Sequence, residues 1–125
     1  MSPFIDKDFL LTTPTARTLY HDYAEAMPIV DYHCHVDPKA IFEDRRFTNI
    51  TEAWLEGDHY KWRLMRWGGV EERYITGDAP GREKFQKFSE VLPRAIGNPL
   101  YHWCHLELSV YFGYQGVLNG ETAQE

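Results

Sequence analysis

The sequence predicts a predominantly helical α/β chain in which one short strand near the start precedes a string of short helices. Three observations carry that prediction. Residues 28 to 36, "PIVDYHCHV", put apolar and polar side chains on alternate sides, the period-two pattern of a strand packed on one face. The stretch after Val36 is punctuated by cap-then-proline helix starts and by glycine stops. No repeat, low-complexity run or flexible linker divides the 125 residues, so they are expected to share one core.

Taken in order, Pro14 behind Thr13 opens the first helix, with Ala16, Leu19, Tyr20, Tyr23 and Ala24 on one face until Pro28 stops it. The strand over about 28–36 follows. Asp37 then caps a short helix over about 38–44, Pro38 being pre-set for its first turn. Thr48 begins another that carries Ile50 and Trp54 and closes at Gly57. Asp58 caps "HYKWRLMRW", which stops at Gly68-Gly69. Asp78 and Pro80 start a longer helix with Phe85, Phe88 and Leu92 on a shared face. Asn98-Pro99 repeats the signal for "LYHWCHLELSVYF", where Leu100, Trp103, Cys104, Leu108 and Tyr111 keep helical spacing. The closing "NGETAQE" reads as the first turn of a further helix, which makes the chain look like a piece of a longer protein.

Composition narrows the function. Apolar residues make up 43% and aromatics 15%, so burial leans on Trp, Tyr and Phe. Lys plus Arg number 13 against 19 Asp plus Glu, a net charge of −6, and no basic stripe is present. That balance argues against nucleic acid or an anionic membrane as partner. The opening "MSPFIDKDFLL" lacks a basic leader, and nothing approaches the roughly 18 apolar residues that span a bilayer. Two cysteines, Cys34 and Cys104, form no secreted-type framework. A cytoplasmic protein is the expectation.

The strand carries the chemistry. Its even positions, Val30, Tyr32, Cys34 and Val36, are fit to pack under helices, and Cys34 reads as a small buried hydrophobe. Its odd positions, Ile29, Asp31, His33 and His35, grow more polar towards the C-terminal end. His33 and His35 point the same way, with Cβ atoms roughly 6.5–7 Å apart, close enough to share one divalent cation. Asp31 on the same face and the helix start just beyond strengthen a metal reading over that of two incidental histidines.

Two further clusters stand out. With Asp58 as cap, His59 and Tyr60 fall in a first helical turn, where the dipole and free backbone N–H groups favour an anion and a tyrosine hydroxyl can move a proton. The plainer alternative makes Tyr60 a packing partner of Leu64 and leaves His59 solvated. In "YHWCH", His102 and His105 stand one turn apart beside Cys104; packing or surface roles are preferred there over a structural zinc site built with Cys34. No phosphate-binding glycine loop or serine nucleophile elbow is present.

The motifs "DYHCH", "GDHYKWR" and "NPLYHWCHLEL", in that order, resemble the N-terminal part of uronate isomerase, also called glucuronate isomerase, within the amidohydrolase superfamily. The resemblance covers essentially the whole chain. It implies a metal-dependent (β/α)₈ TIM barrel with a helical insertion after the first strand, here the strand at about 28–36 and the insertion at about 38–125. It implies interconversion of D-glucuronate with D-fructuronate and of D-galacturonate with D-tagaturonate, through an enediol. By position, His33 and His35 match first-strand ligands of a divalent metal, usually zinc, and His59 and Tyr60 match a substrate-site pair. The partner is then a small-molecule hexuronate, with a homo-oligomer open to the full-length protein. A complete barrel needs about 250 residues, so the chain is expected to be an incomplete, inactive part of one. A superfamily hydrolase with the same metal site, or a helical binding module without catalysis, are the alternatives.

Overall fold

Side-chain caps set most of the helix starts. In the computed structural model, which describes residues 4–125, the Thr13 hydroxyl accepts from the Ala16 N–H and opens α1, Pro14–Leu19. The Asp37 carboxylate accepts from Lys39 N–H at α2, Pro38–Phe42, and the Asn49 amide from Glu52 N–H at α3, Ile50–Leu55. Asp58 opens α4, His59–Trp67, and Asn98 opens α6, Pro99–Phe112. Residues 1–3, the start of the opening read above as free of a leader, lie outside the described residues. Between α4 and α6 runs α5, Gly81–Val91, preceded by one 3₁₀ turn at Glu72–Tyr74 and continued by another at Leu92–Ala95.

The helix starts depart from expectation in small ways. The cap of α3 is Asn49, one residue after Thr48. Thr48 instead gives its N–H and hydroxyl to the Glu52 carboxylate, at 2.6 and 2.7 Å. Asp78 does not cap α5, because Pro80 intervenes in extended backbone and offers no acceptor side chain. Beyond Leu19, α1 widens into a π turn, Tyr20–Ala24, and its apolar side chains stay largely exposed because nothing packs over them. The closing segment is a run of turns, with the Asn119 side chain accepting from Glu121 and Thr122 N–H.

The core lies among α3, α4, α5 and α6. Phe88, Met65, Ile75, Leu92 and Cys104 are sealed from solvent at its centre, with Trp54 edge-on to Phe88. The Phe85, Phe88 and Leu92 face of α5 is buried as its spacing predicts. On α6 the buried stripe is Leu100, Tyr101, Cys104, His105 and Leu108. Trp103 and Tyr111, expected to share it, face outward instead. Gly68 lets the end of α4 meet α5, since a Cβ there would lie 1.8 Å from Val91 Cγ1. Phe4 ties the start of the described chain to α6, its ring 5.2 Å from that of His105.

The expected strand does not form: residues 28–37 run without a ladder, and no strand exists among the described residues. Val30 is 82% exposed and Tyr32 95%, and Cys34 is exposed, so the even face packs under nothing. The reason is a missing neighbour. A strand is held by hydrogen bonds to its flanking strands, and an apolar alternation without them has nothing to pair with. No helix among the described residues is long and apolar enough to cross a membrane.

Candidate active site

The loop at 31–36 nonetheless bends back onto the start of α4. Asp31 Oδ1 accepts from the His33 N–H at 3.2 Å, an aspartate turn that brings the two histidines round. The rings of His33 and His35 lie 5.6 Å apart, edge to face. His35 also stacks on His59, at 5.3 Å and 21° between planes, and meets Tyr60 edge-on at 4.4 Å. His59 and Tyr60 touch in turn at 4.8 Å. The four residues singled out from two separate motifs thus form one cluster.

Asp58 is its hub. Oδ1 takes the Nδ1 of His35 at 2.9 Å and the N–H of Tyr60 at 2.9 Å. Oδ2 takes the ammonium of Lys61 at 2.7 Å. Asp58 and Lys61 are 7% and 6% exposed, so this is a buried ion pair with its lone pairs occupied, the arrangement that can repay its desolvation. Lys61 also lies 5.3 Å over the Trp54 ring. Burial pushes the Asp58 carboxyl upward, but Lys61, His35 and the Tyr60 N–H together hold it below its ordinary range. The anion expected at the start of α4 is therefore the chain's own: the Tyr60 N–H serves Asp58 and is not free for a ligand.

These groups wall a cleft of about 820 Å³, which His33, His35, Tyr60 and Lys61 share with Trp103 and Glu107 of α6. Asp58 was legible only as a cap, and Lys61 was not singled out; their spacing of three across the start of α4 was the available signal. Glu107 gave no signal beyond lying one turn after Trp103. Burial raises its carboxyl above the usual glutamate value, against the pull of Lys61 and the Trp54 indole, with Asp58 adding to the rise.

The donor set suits a divalent cation in part. His35 has Nδ1 committed to Asp58, which leaves Nε2, and the His33 ring has no hydrogen-bond partner among the described residues. No group of three His, Cys, Asp or Glu side chains is gathered for an ion among those residues. The two imidazoles would supply two of the three protein ligands that a catalytic zinc site needs. The alternative zinc site at "YHWCH" is absent. Burial pushes the Cys104 thiol up to about 12, an inert core thiol, and both His105 nitrogens are taken by backbone. Cys34 donates its thiol to the Val36 carbonyl at 3.2 Å and stands apart from Cys104 on the surface.

The sequence profile of glucuronate isomerase matches residues 1–125, the whole chain. The chain belongs to the glucuronate isomerase family. A uronate isomerase of Lachnospira eligens is 69% identical over 125 residues, covering 100% of this chain and 27% of that protein. One of Bacillus subtilis is 61% identical over 122 residues, covering 98% of this chain and 26% of that protein. The crystal structure of uronate isomerase from Thermotoga maritima superposes with a TM-score of 0.88 at 41% identity, over 98% of this chain and 27% of that one. This family member therefore spans 26–27% of the length of these relatives.

Proposed function

We propose that this chain is the N-terminal part of a hexuronate isomerase that interconverts D-glucuronate with D-fructuronate and D-galacturonate with D-tagaturonate. One observation carries the reading: in a member of the glucuronate isomerase family, His33, His35, Asp58 and Tyr60 share one wall of a sugar-sized cleft, with His59 stacked against His35 beside it. The longer protein is cytoplasmic and barrel-shaped in this reading, with residues 28–36 as its first strand and the helices from α2 onward as an insertion.

The reaction moves a proton between C2 and C1 of the sugar acid through an enediol, with no net change of oxidation state. His33 and His35 hold a divalent cation, zinc by preference, whose charge polarises a substrate oxygen when bound. A third ligand and the cationic side chains that grip the uronate carboxylate come from the longer protein. Tyr60, half exposed in the first turn of α4, offers its hydroxyl to a sugar oxygen and to the proton moved there. His59, stacked on His35, is the second member of the substrate-site pair and acts from beside the cleft wall through that contact. Arg63, 5.4 Å over the Tyr60 ring, keeps that ring in place.

The test is turnover of D-glucuronate by the longer protein. His33→Ala is expected to abolish it, and Tyr60→Phe to lower kcat roughly 10²-fold, the usual worth of a positioned proton donor. Unchanged turnover in either variant refutes the role given to that residue. Amide or ester hydrolysis in place of isomerisation refutes the reaction itself.

A further inference from the structure

We propose that Asp58 is a positioning residue that holds the His35 ring as the Nδ1–H tautomer, leaving the Nε2 lone pair for a divalent cation. The inference rests on the metal role given to His35 above and adds a residue to it. Its basis is the hydrogen-bond inventory of one carboxylate. Asp58 sits between a lysine ammonium and a backbone N–H, both obligate donors, at 2.7 and 2.9 Å. An ionised carboxylate can only accept. The 2.9 Å contact with His35 must then carry the proton on Nδ1. A neutral imidazole has one proton, so Nε2 is left bare and basic, the state a metal ligand needs.

The ring cannot turn to evade this choice. It is stacked on His59 and abutted by Tyr60, and flipping it would place a carbon against the Asp58 oxygen. Asp58 in turn cannot swing away, because Lys61 fixes its other oxygen within the buried rim of the core. The same oxygen that holds His35 also anchors the Tyr60 N–H. One carboxylate thereby sets the orientation of a ligand histidine and the position of the substrate-facing turn together.

The experiment uses the longer protein carrying this sequence. In its metal-free form, ¹⁵N spectra of labelled histidine are expected to show His35 protonated at Nδ1, a readout that needs no substitution and no activity. In Asp58→Asn the single amide oxygen goes to the Lys61 ammonium, the NH₂ turns to His35, and the proton is forced to Nε2. Zinc affinity, read by competition with a chromogenic chelator, is expected to fall about 10–100-fold. Adding Lys61→Met frees the amide oxygen for His35 and the Tyr60 N–H and is expected to restore most of that affinity together with the Nδ1 proton of His35 in the ¹⁵N spectra, a tautomer signature that loss and recovery of the cap alone would not move. Nε2 protonation in the unsubstituted protein overturns the proposal, as does an Asp58→Asn affinity unchanged while His35→Ala abolishes binding. That second result leaves the isomerase reading standing. Zinc held at His35 without turnover of D-glucuronate removes the isomerase reading instead, and the tautomer and affinity still decide the role of Asp58.

Discussion

At the residue scale, His105 shows how backbone can settle the chemistry of a histidine. Its Nδ1 donates to the Tyr101 carbonyl at 2.7 Å and its Nε2 accepts from the Leu118 N–H at 2.9 Å, which fixes one neutral tautomer. Burial pushes its affinity for a proton below the ordinary histidine value, although the Tyr101 carbonyl pulls the other way. The unfolded chain therefore takes up the proton first as pH falls. Stability is full above the unfolded value of about 6.5 and declines as pH drops below it, until the folded form protonates and loses its bond to Leu118. His21 carries the opposite sign. Held between Asp8 and Glu25 at 2.8 and 3.0 Å, it is raised, so its contribution is present at low pH and fades as pH rises through its folded value. Urea melts from pH 8 to 5 are expected to show a smaller loss in His105→Gln, whose amide can donate and accept in the same places, than in the parent. His105→Ala, which orphans the Leu118 N–H and opens a hole, is expected to cost about 3 kcal/mol at pH 8. An equal pH slope in parent and His105→Gln would dismiss His105 as the source.

At the scale of elements, α6 depends on its ends. Asn98 caps the start, and Gly113 ends it at φ 69°, in the left-handed region, from where the Gly113 and Tyr114 N–H groups reach back to the Ser109 and Leu108 carbonyls. A Cβ at Gly113 would meet nothing within 4 Å, so any penalty there is backbone strain alone. Gly113→Ala is expected to cost about 1 kcal/mol and Gly113→Asn less, since asparagine tolerates that conformation. Gly57, equally open but without a positive φ, is the control, and comparable losses at the two sites would refute the strain account. Helices announced by such local chemistry were legible from sequence: α2, α4 and α6 begin where Asp37, Asp58 and Asn98 say they do. Asp78 failed as a cap because a proline, not a spacing rule, decides the entry to α5. Trp103 and Tyr111 have the spacing of a buried face yet line the cleft, because periodicity tells which residues share a side and not what lies opposite. The histidines and Tyr60 were legible as chemistry, whereas Asp58 was hidden behind its role as a cap and Lys61 carried no signal of its own until tertiary structure joined both to His35 through one carboxylate.

For the whole molecule, the division between a sealed core and the uncovered loop at 28–37 sets the behaviour. Residues from Trp54 to Leu118 enclose Phe88, Met65 and Leu92, while Ile29, Val30 and Tyr32 stand in water with their backbone unpaired. The period-two pattern of 28–36 is a message to flanking strands, and a chain can obey it only where those strands are supplied. Two consequences are measurable. In the 125-residue chain alone, amides of 28–37 should exchange with solvent almost as in an unfolded peptide, while those of α4, α5 and α6 stay protected. The uncovered apolar side chains should bind a hydrophobic dye and draw copies together. In the longer protein the same amides should slow by orders of magnitude, as pairing on both sides locks His33 and His35 into register, and dye binding should vanish. Strong protection of 28–37 in the short chain would show that the loop closes on itself and needs no neighbour. Equal exposure in both proteins would remove the strand from the proposed barrel, and leave Asp58 as the hydrogen-bonded hold on the His35 ring.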